Sequence, residues 1–559
     1  MNPRHGGDAV MSVVRRYGVE TMFTLSGGHV FPLYDGAVKT DPPVRILDTR
    51  HEQTAVFAAE GTARLTRRPA LAVLTAGPGI TNGISGITTA HFNGSPVVVL
   101  GGRAPQARWG SGALQELDHP PLVAPVTKLA TTAQGPDTLA ADVTKAFDTA
   151  ATPHRGPVFL DFYMDHLFGP APEVPDESTT AAPERAEPDP EALAAIVALL
   201  REARRPVLVL GSDVWMDGAD EAARAFAEEL RLPVVANGQG RGIFPPGHEL
   251  LVTRARSKAF READLVIVAG TPLDFRLGYG SFGGGSGGRP PGEHSGGAAK
   301  VVHLADSPSQ LATHTLTAGA AAGDLSLIFT GLATAAGKAG VTPASYALWA
   351  GDLRDAARAA VAGDAELLAS PADPIHPMRL YGELAKVLED DAVVIGDGGD
   401  FVSYAGKYVE PKRPGGWLDP GPYGCLGTGL GYAAAARIAR PSSQVVLLLG
   451  DGAAGFSLMD ADTLVRHNLP VVMIVGNNGA WGLEKHPMQM LYGYDVAAEL
   501  QPECRYDEVV RALGGVGELV TRPEQLGPAL RRAFDSGAPY LVNVATDPEI
   551  AYPRSTTGV

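Results

Sequence analysis

Short apolar runs recur along the chain, with longer amphipathic stretches between them. In the first third the runs are TMFTL, LAVLT, PVVVLGG and GPVFLDF, and the helix-like EQTAVFAAEGTARLT separates the first two. Similar runs return as PVLVLG, LPVVAN, DLVIVAG and KVVHLAD, and again as VVIGDGG, VVLLLGDG, VVMIVGNN and YLVNVATD. Alternation of strand-sized and helix-sized segments predicts βαβ units and parallel sheets. We therefore predict an α/β protein with three doubly wound parallel-sheet domains.

The domain limits follow from where this alternation stops. The predicted domains are residues 1–168, 191–335 and 371–546. Residues 169–190 and 336–370 lack a hydrophobic period and are interpreted as linkers, and residues 547–559 as a C-terminal tail. The first and third domains contain similar segments, because LAVLTAGPGITNG and VVLLLGDGAAG are both strands that lead into a glycine turn and a helix. This internal similarity suggests two similar sheets paired about a cleft.

Composition narrows the class of protein. The 559 residues are too many for one core, and the formal charge of −16 argues against nucleic acid or an anionic membrane as partner. No apolar run approaches the roughly 20 residues that span a bilayer. The N-terminus MNPRHGGDAV has no signal core, and two cysteines are too few for a disulfide framework. A cytoplasmic location is expected.

Polar residues end two of the apolar runs in the third domain. Asp451 lies in a GDG turn, and 24 residues after that turn the pair Asn477 and Asn478 ends a second run. The C-terminal ends of parallel strands meet at one edge of a sheet, so these side chains would stand together if their strands are neighbours. Mg²⁺ takes such oxygens together with phosphate oxygens, and the glycines let backbone N–H groups approach a phosphate. The spacing predicts a site for Mg²⁺ and a diphosphate.

This spacing resembles the signature of thiamine diphosphate enzymes. The domain order resembles that of the acetolactate synthase-like superfamily: a pyrimidine-binding, a central nucleotide-binding-like and a diphosphate-binding domain. The resemblance implies thiamine diphosphate and Mg²⁺ as cofactors, with Asp451, Asn478 and the backbone carbonyl of Ala480 as metal ligands. The residues that it implies around the diphosphate are Gly399, Asp400, Gly450, Gly452 and Ala453.

The resemblance also implies contacts for the rest of the cofactor. Glu52, in RHEQTAVFAAEG, matches the glutamate that hydrogen-bonds the pyrimidine ring and shares a proton with it. Leu426, in PYGCLGTGLGYA, falls on the apolar wedge that bends the cofactor. Gly27 and Gly28, in LSGGHV, resemble the loop that faces the thiazolium ring.

Three segments resemble substrate-binding parts of the superfamily. His29 follows the glycine pair, and Gln115 and Glu116 lie in SGALQELDH, a loop that crosses a dimer interface in relatives. A homodimer is therefore the expected minimal active unit, and a homotetramer the expected assembly. Glu484 lies six residues after Asn478, where thiamine-dependent pyruvate decarboxylases carry an acid/base glutamate and acetolactate synthases generally lack an acid. General acid–base catalysis of this kind is typically worth about 10²–10⁴-fold.

The segments NNGAWGLEKHPM and AYPRSTTGV resemble 2-hydroxyacyl-CoA lyases, which neighbour the oxalyl-CoA decarboxylases. The resemblance implies cleavage of a 2-hydroxyacyl-CoA thioester to formyl-CoA and an aldehyde or ketone, with Glu52, Glu484 and Gln115 as catalytic residues. The tail is a candidate lid, with Tyr552, Arg554 and Ser555 as contacts. Alternatives are an acetolactate synthase, a benzaldehyde-lyase-like enzyme and an inactive regulator, the last disfavoured because the cofactor residues are retained.

The central domain holds FAD, ADP or nothing in relatives. Arg276, in GTPLDFRLGYG, and Asp306, after KVVHLA, fall where relatives contact a nucleotide. The glycine-rich insert at 283–297 departs from the FAD pattern, which favours ADP or a vacant site. Basic candidates for the CoA phosphates are Arg254, Arg256, Lys258, Lys407, Lys412 and Arg413.

Overall fold

Three parallel sheets organise the computed structural model, which describes residues 4–172, 174, 185–284 and 299–552. Five clusters of buried apolar side chains cover the faces of these sheets, and one of them is shared by the N-terminal and C-terminal sheets. Covered parallel strands of this kind read as continuous apolar runs, which is the pattern seen in the sequence. The predicted α/β fold with three parallel-sheet domains is confirmed.

The N-terminal sheet has six strands in the order β2-β1-β3-β4-β6-β5. Its strands are β1 Thr21–Thr24, β2 Arg45–Asp48, β3 Ala70–Leu74, β4 Val97–Arg103, β5 Leu129–Thr132 and β6 Val158–Tyr163. Its helices are α1 Gly6–Arg16, α2 Phe31–Lys39, α3 Glu52–Thr66, α4 Pro78–Phe92, α5 Pro120–Val123, α6 Leu139–Ala151 and α7 Met164–Phe168.

The central sheet has five strands in the order β11-β10-β9-β7-β8. Its strands are β7 Pro206–Leu210, β8 Val234–Ala236, β9 Leu265–Ala269, β10 Lys300–Ala305 and β11 Gly319–Ala322. Its helices are α8 Pro190–Glu202, α9 Ser212–Met216, α10 Asp220–Leu230, α11 Arg256–Glu262, α12 Leu325–Lys338, α13 Ala347–Gly363 and α14 Ala365–Leu368.

The C-terminal sheet has six strands in the order β13-β12-β14-β15-β17-β16. Its strands are β12 Val393–Asp397, β13 Trp417–Leu418, β14 Val445–Gly450, β15 Val472–Asn477, β16 Val516–Val520 and β17 Tyr540–Ala545. Its helices are α15 Pro377–Leu384, α16 Gly399–Tyr408, α17 Gly429–Ala439, α18 Asp451–Ser457, α19 Ala461–Arg466, α20 Gly482–Tyr492, α21 Tyr506–Ala512 and α22 Pro523–Asp535.

One predicted linker is corrected by the structure. Residues 336–370 contain the 17-residue helix α13, where a linker was expected. Trp349, Leu353 and Ala357 recur every four residues along it and pack in the core of the central domain. The small residues around them dilute the amphipathic pattern, which explains why the helix was missed. In the described part of the chain, no helix combines the length and apolar content needed to cross a membrane.

The terminal domains pack against each other through α3 and α17. The helices come close because Gly61 and Gly431 lack side chains: a Cβ on Gly61 would lie 3.0 Å from Ala435, and one on Gly431 would lie 2.7 Å from Phe57. Nearby, the Tyr432 hydroxyl donates a hydrogen bond to the buried Glu60 carboxylate over 2.8 Å. This contact fixes the helix that begins at Glu52.

Candidate active site

Both terminal sheets place polar residues where the strand order reverses. The reversal falls between β1 and β3 in the N-terminal sheet and between β12 and β14 in the C-terminal sheet. Open α/β sheets bind ligands in the crevice outside such a reversal. Three of these strands lead directly into predicted site residues: β1 into Gly27–His29, β12 into Gly399 and Asp400, and β14 into Asp451–Ala453.

Asp451 and Asn478 follow neighbouring strands, as their predicted pairing requires. Gly450 at the end of β14 pairs with Gly476 near the end of β15. The Asp451 carboxylate accepts hydrogen bonds from the backbone N–H of Gly479 over 2.7 Å and from that of Gly452 over 2.9 Å. The Asn478 side-chain oxygen accepts one from the Ala480 N–H over 3.2 Å. Asp451 is thus hydrogen-bonded to the turn that contains Asn478 and Ala480, so the three predicted metal ligands lie in two adjoining turns.

The surroundings of Asp451 suit a cation. The side chain is 3% exposed, and burial raises its pKa to about 7. Among the described residues, no lysine, arginine or histidine forms an ion pair with it. A buried carboxylate that has only backbone donors is costly unless it is protonated or meets a cation. The donor set fits Mg²⁺, which binds through one or two carboxylates and further oxygens.

Close packing leaves no room for side chains in the turns around Asp451. Gly398 has a φ of +77°, and a Cβ there would lie 2.6 Å from Ala453 and 2.7 Å from the tip of Leu426. A Cβ on Gly452 would lie 2.4 Å from the ring of Trp481. Glycine keeps the backbone N–H groups of these turns accessible, as a phosphate site requires.

Leu426, predicted as the wedge, is held by a buried carboxyl that the sequence analysis missed. Asp397 ends β12 and accepts hydrogen bonds from the N–H groups of Gly427 and Gly429 over 3.1 and 2.8 Å. It is fully buried, and burial raises its pKa to about 7. Asp397 thereby fixes the turn that presses Leu426 against Gly398.

The first turns of α16 and α20 bring further acidic groups to this edge. Asp400 is 4% exposed, and its pKa rises to about 6, mainly because of burial. The negative charge of Glu484 adds to that rise, so Glu484 lies within electrostatic reach of Asp400. Glu484 is exposed in the single chain, whereas its neighbour Lys485 is buried and pairs with Glu499 over 2.8 Å.

Glu52 begins α3 in a neutral environment. It is 6% exposed, and its carboxylate accepts a hydrogen bond from the Asn82 amide over 3.1 Å. A Cβ on Gly79 would lie 3.7 Å from the other carboxylate oxygen, so the turn after β3 passes close by. Glu52 therefore lies at the reversal point of its own sheet.

The predicted thiazolium loop follows β1 and packs against the turn after β3. A Cβ on Gly27 would lie 2.2 Å from Thr75, whereas one on Gly28 would meet no described residue within 4 Å. The His29 ring is 3.3 Å from the Thr75 hydroxyl and 3.2 Å from the carbonyl of Leu114. Burial lowers the pKa of His29, which favours the neutral ring.

The predicted substrate loop is braced from within. Gln115 has a φ of +59° and packs on the glycine turn: a Cβ on Gly77 would lie 2.9 Å from the Gln115 Cβ. Glu116 was predicted to face the substrate. Its carboxylate accepts hydrogen bonds from the N–H groups of Gly110 and Ala113 over 3.0 and 3.3 Å. Glu116 thus stabilises the loop.

A buried trio behind this loop was also missed. The Gly77 N–H donates to His119 Nε2 over 2.9 Å, so the ring is neutral and carries its proton on Nδ1. Nδ1 lies 2.8 Å from Asp161, to which Arg103 donates over 3.0 Å. The available signal was Asp161 itself, an acidic residue inside the apolar strand VFLDFY.

The tail and nucleotide predictions fare differently. Tyr552 packs edge-on against Tyr404 at 4.8 Å, whereas Arg554 and Ser555 lie outside the described residues. Arg276 pairs with Asp274 over 2.7 Å, and Asp306 is 3.0 Å from His154. Both predicted nucleotide contacts already have protein partners, and nothing supports ADP.

Most of the basic candidates for CoA are paired as well. Their partners are Asp364 for Arg254, Asp364 for Lys407 at 3.8 Å, Asp352 for Lys258 at 2.7 Å and Asp390 for Lys412 at 2.6 Å. Arg256 differs, because its guanidinium donates to the Arg276 carbonyl. Burial and the neighbouring charges of Arg241 and Arg276 lower the pKa of Arg256 to about 10.

Comparison with known proteins matches three family models along the chain. Residues 4–122 match the N-terminal TPP binding domain of thiamine pyrophosphate enzymes, 193–332 the central domain and 397–544 the C-terminal TPP binding domain. The chain is 48% identical to "acetolactate synthase large subunit IlvG" of Mycobacterium tuberculosis, over 98% of this chain and 97% of that protein.

Relatives that are named for a different activity also match over most of their length. "2-hydroxyacyl-CoA lyase 2" of Caenorhabditis elegans is 34% identical over 92% of this chain and 84% of its own. The human protein of the same name is 32% identical over 97% and 90%. The resemblance to the superfamily is thus confirmed, and the relatives carry two different activities.

Proposed function

Because this chain belongs to the thiamine diphosphate-dependent enzymes of the acetolactate synthase-like superfamily, we propose that it cleaves 2-hydroxyacyl-CoA thioesters to formyl-CoA and an aldehyde or ketone. The observation that carries the proposal is Glu484, a carboxyl in the first turn of α20 within electrostatic reach of Asp400. Relatives named 2-hydroxyacyl-CoA lyase 2 match over most of the chain. Cleavage next to a hydroxyl needs a base for the hydroxyl proton, and Glu484 offers one.

The cofactor residues have complementary tasks in this proposal. Asp451, Asn478 and the Ala480 carbonyl would hold Mg²⁺, while the glycine turns after β12 and β14 would hold the diphosphate. Glu52 would bind the pyrimidine ring, and Leu426 would keep the cofactor bent. When bound, thiamine diphosphate supplies a nucleophilic carbon that adds to the thioester carbonyl and then accepts the electron pair of the breaking bond.

Proton movements fall to the side chains. Glu484, as carboxylate, takes the proton of the C2 hydroxyl while the C1–C2 bond breaks and the aldehyde or ketone leaves. A proton returned to C1 then completes formyl-CoA, so the proton taken from the hydroxyl is balanced by the one delivered to carbon. Gln115, on its braced loop, would orient the thioester, and the neutral ring of His29 would offer a polar contact.

A crowded set of arginines would receive the CoA phosphates. Arg241 lies over the Trp417 ring at 4.9 Å, and its pKa is lowered by burial. Arg256 is crowded by the charges of Arg241 and Arg276. A phosphate placed among these guanidinium groups would relieve their mutual repulsion and form bidentate hydrogen bonds. Tyr552 lies near Arg241, so the tail would adjoin this surface.

We also propose a homodimer as the minimal active unit, assembled further into a homotetramer in the cytoplasm. Large apolar side chains on the site loops are exposed in the single chain. They include Leu114 at 78%, Phe456 at 57% and Phe92 at 51%. Such exposure is typical of surfaces that a partner covers.

Acetolactate synthesis from two pyruvates is the second candidate. Its support is the 48% identity to proteins named acetolactate synthase across almost the whole chain. Glu484 argues against it, because condensation of pyruvate in that family generally proceeds without an acid at this position.

The deciding experiment offers both substrates in parallel to the protein with thiamine diphosphate and Mg²⁺. We expect acetone and formyl-CoA from 2-hydroxyisobutyryl-CoA, and no acetolactate from pyruvate. Glu484→Gln should lower turnover by about 10²–10⁴-fold with unchanged cofactor affinity. Glu503→Gln, an exposed carboxyl in the segment after α20, is the matched control. Acetolactate without CoA-ester cleavage would overturn the proposal.

A further inference from the structure

Two helices that pack together, α16 and α20, each carry a buried polar atom without a hydrogen-bond partner among the described residues. One is the Asp400 Oδ2 oxygen on α16, and the other is the His486 Nε2 nitrogen on α20. Neither has a hydrogen-bond partner among the described residues, although α16 and α20 pack together. A positive charge on His486 lowers the pKa of Asp400, so the two groups interact electrostatically. Buried polar atoms without partners are rare and need an explanation.

Asp400 presents a problem for the proposed cofactor site. It stands in the first turn of α16, between the glycine turn after β12 and the first turn of α20. A carboxylate there would repel the anionic diphosphate that the helix N-terminus attracts. Asp451 and Glu484 add negative charge, since each is coupled electrostatically to Asp400.

The groups around Asp400 leave His486 as the one able to compensate. The Tyr381 and Tyr404 rings flank Asp400, but their pKa values are raised and they stay neutral. The Asp400 backbone and the Phe401 N–H already donate to the carboxyl. His486 is the basic side chain whose charge acts on Asp400 in the opposite sense to Glu484.

We propose that His486 is a positioning residue that donates a hydrogen bond to Asp400 and balances its charge, so that the N-terminus of α16 accepts the cofactor diphosphate. The inference rests on the cofactor part of the proposed function and is independent of which substrate is cleaved. It explains why an acidic residue is tolerated at this turn. It also gives the two partnerless atoms a common role.

A double-mutant cycle on cofactor affinity tests this inference. The dissociation constant of thiamine diphosphate with Mg²⁺ is measured by the fluorescence of Trp481, which lies against Gly452. His486→Leu should weaken binding by about tenfold or more, the effect of losing a charge-assisted hydrogen bond to a buried carboxylate. In Asp400→Asn the amide does not need a compensating charge, so adding His486→Leu to that variant should change the affinity little.

The double variant Asp400→Asn/His486→Leu shows whether His486 acts on cofactor binding through Asp400. We expect it to bind the cofactor as tightly as Asp400→Asn alone, within about threefold, since non-additivity reports direct coupling between two residues. Circular dichroism and thermal unfolding of each variant show whether it is folded, and His248→Leu serves as a remote control. A tenfold loss from His486→Leu that persists in the Asp400→Asn background would overturn the inference. Failure of the wild type to bind the cofactor would instead sink the proposed function as well.

Discussion

The N-terminal and C-terminal sheets share one strand order and differ in the chemistry that they place at the same edge. Counted within each domain, both run second, first, third, fourth, sixth, fifth. Around the reversal of the C-terminal sheet lie Asp397, Asp400 and Asp451, all buried carboxyls whose pKa is raised by burial. Around the reversal of the N-terminal sheet lie Glu52, which accepts a hydrogen bond from the Asn82 amide, and the neutral His29.

The difference indicates a division of labour. Topology decides where a ligand can reach the backbone, and it does so identically in both sheets. Side chains decide which part of a ligand each edge holds. Carboxyls that lack cationic partners favour a metal ion and its phosphate, whereas a single hydrogen-bonded glutamate beside neutral rings favours an uncharged heterocycle. One bipartite cofactor satisfies both edges.

Removal of the cation site should have the largest effect on cofactor binding. Asp451→Ala should abolish Mg²⁺-dependent binding of thiamine diphosphate, and turnover with it. Outer-shell partners alone change metal affinity by about 10–100-fold, so loss of a ligand should exceed that range. Titration calorimetry of the cofactor checks the result, with the exposed Asp390→Ala as control. Undiminished binding would exclude Asp451 as a ligand.

The corresponding change on the other edge should separate binding from turnover. Glu52→Gln keeps a hydrogen-bonding side chain beside Asn82 but removes the proton exchange with the ring. We expect turnover to fall by about 10²–10⁴-fold while cofactor affinity changes little. Steady-state kinetics and the same calorimetry measure both, with Glu20→Gln as a surface control. A loss confined to affinity would contradict the assigned role.

A smaller effect is expected behind the N-terminal edge. His119→Phe leaves the buried Gly77 N–H without an acceptor, which costs about 1–3 kcal/mol of unfolding free energy. The turn at Gly77 should shift, and with it Gln115, so kcat should fall moderately at unchanged cofactor affinity. Hydrogen exchange of residues 76–82 and 110–119 reports the shift directly. Normal exchange and normal kcat would show that His119 is not needed to position the loop.

The weakest expected effect is a pH dependence that belongs to the C-terminal edge alone. The pKa of Asp451 is about 7 in the folded chain against 3.8 ordinarily, so its protonated form favours folding. Stability from this group is lost as the pH rises through that interval. The cofactor-free protein should therefore lose stability as the pH rises from 3.8 towards 7, less steeply in Asp451→Asn. An unchanged slope in thermal unfolding would count against the raised pKa.

Much of this arrangement could be predicted from the sequence because strands and glycine turns mark their own ends. The GDG turn and the paired asparagines followed apolar runs, and the fold rules for parallel sheets brought them together. Short or polar edge strands such as β5 and β13 gave no such signal. The helix α13 was hidden by small residues that dilute its period.

The missed site residues share one physical trait. Asp397 and His119 hold turns from behind through hydrogen bonds to backbone groups distant in sequence, and Asp161 in turn holds the His119 ring. Such a role needs only one buried polar side chain at a suitable place in the fold, so it leaves no spacing pattern. The bracing of its own loop by Glu116 likewise left no signal, because the backbone donors of Gly110 and Ala113 carry no side-chain pattern.

We infer that the N-terminal edge of one subunit and the C-terminal edge of its partner together bind one cofactor. Chains carrying Glu52→Gln and chains carrying Asp451→Ala are each expected to be nearly inactive. Mixed by co-expression, they should recover about a quarter of wild-type activity, because half of the dimers are mixed and each of these has one intact site under two-fold symmetry. No recovery in dimers shown by mass spectrometry to contain both chains would contradict the account.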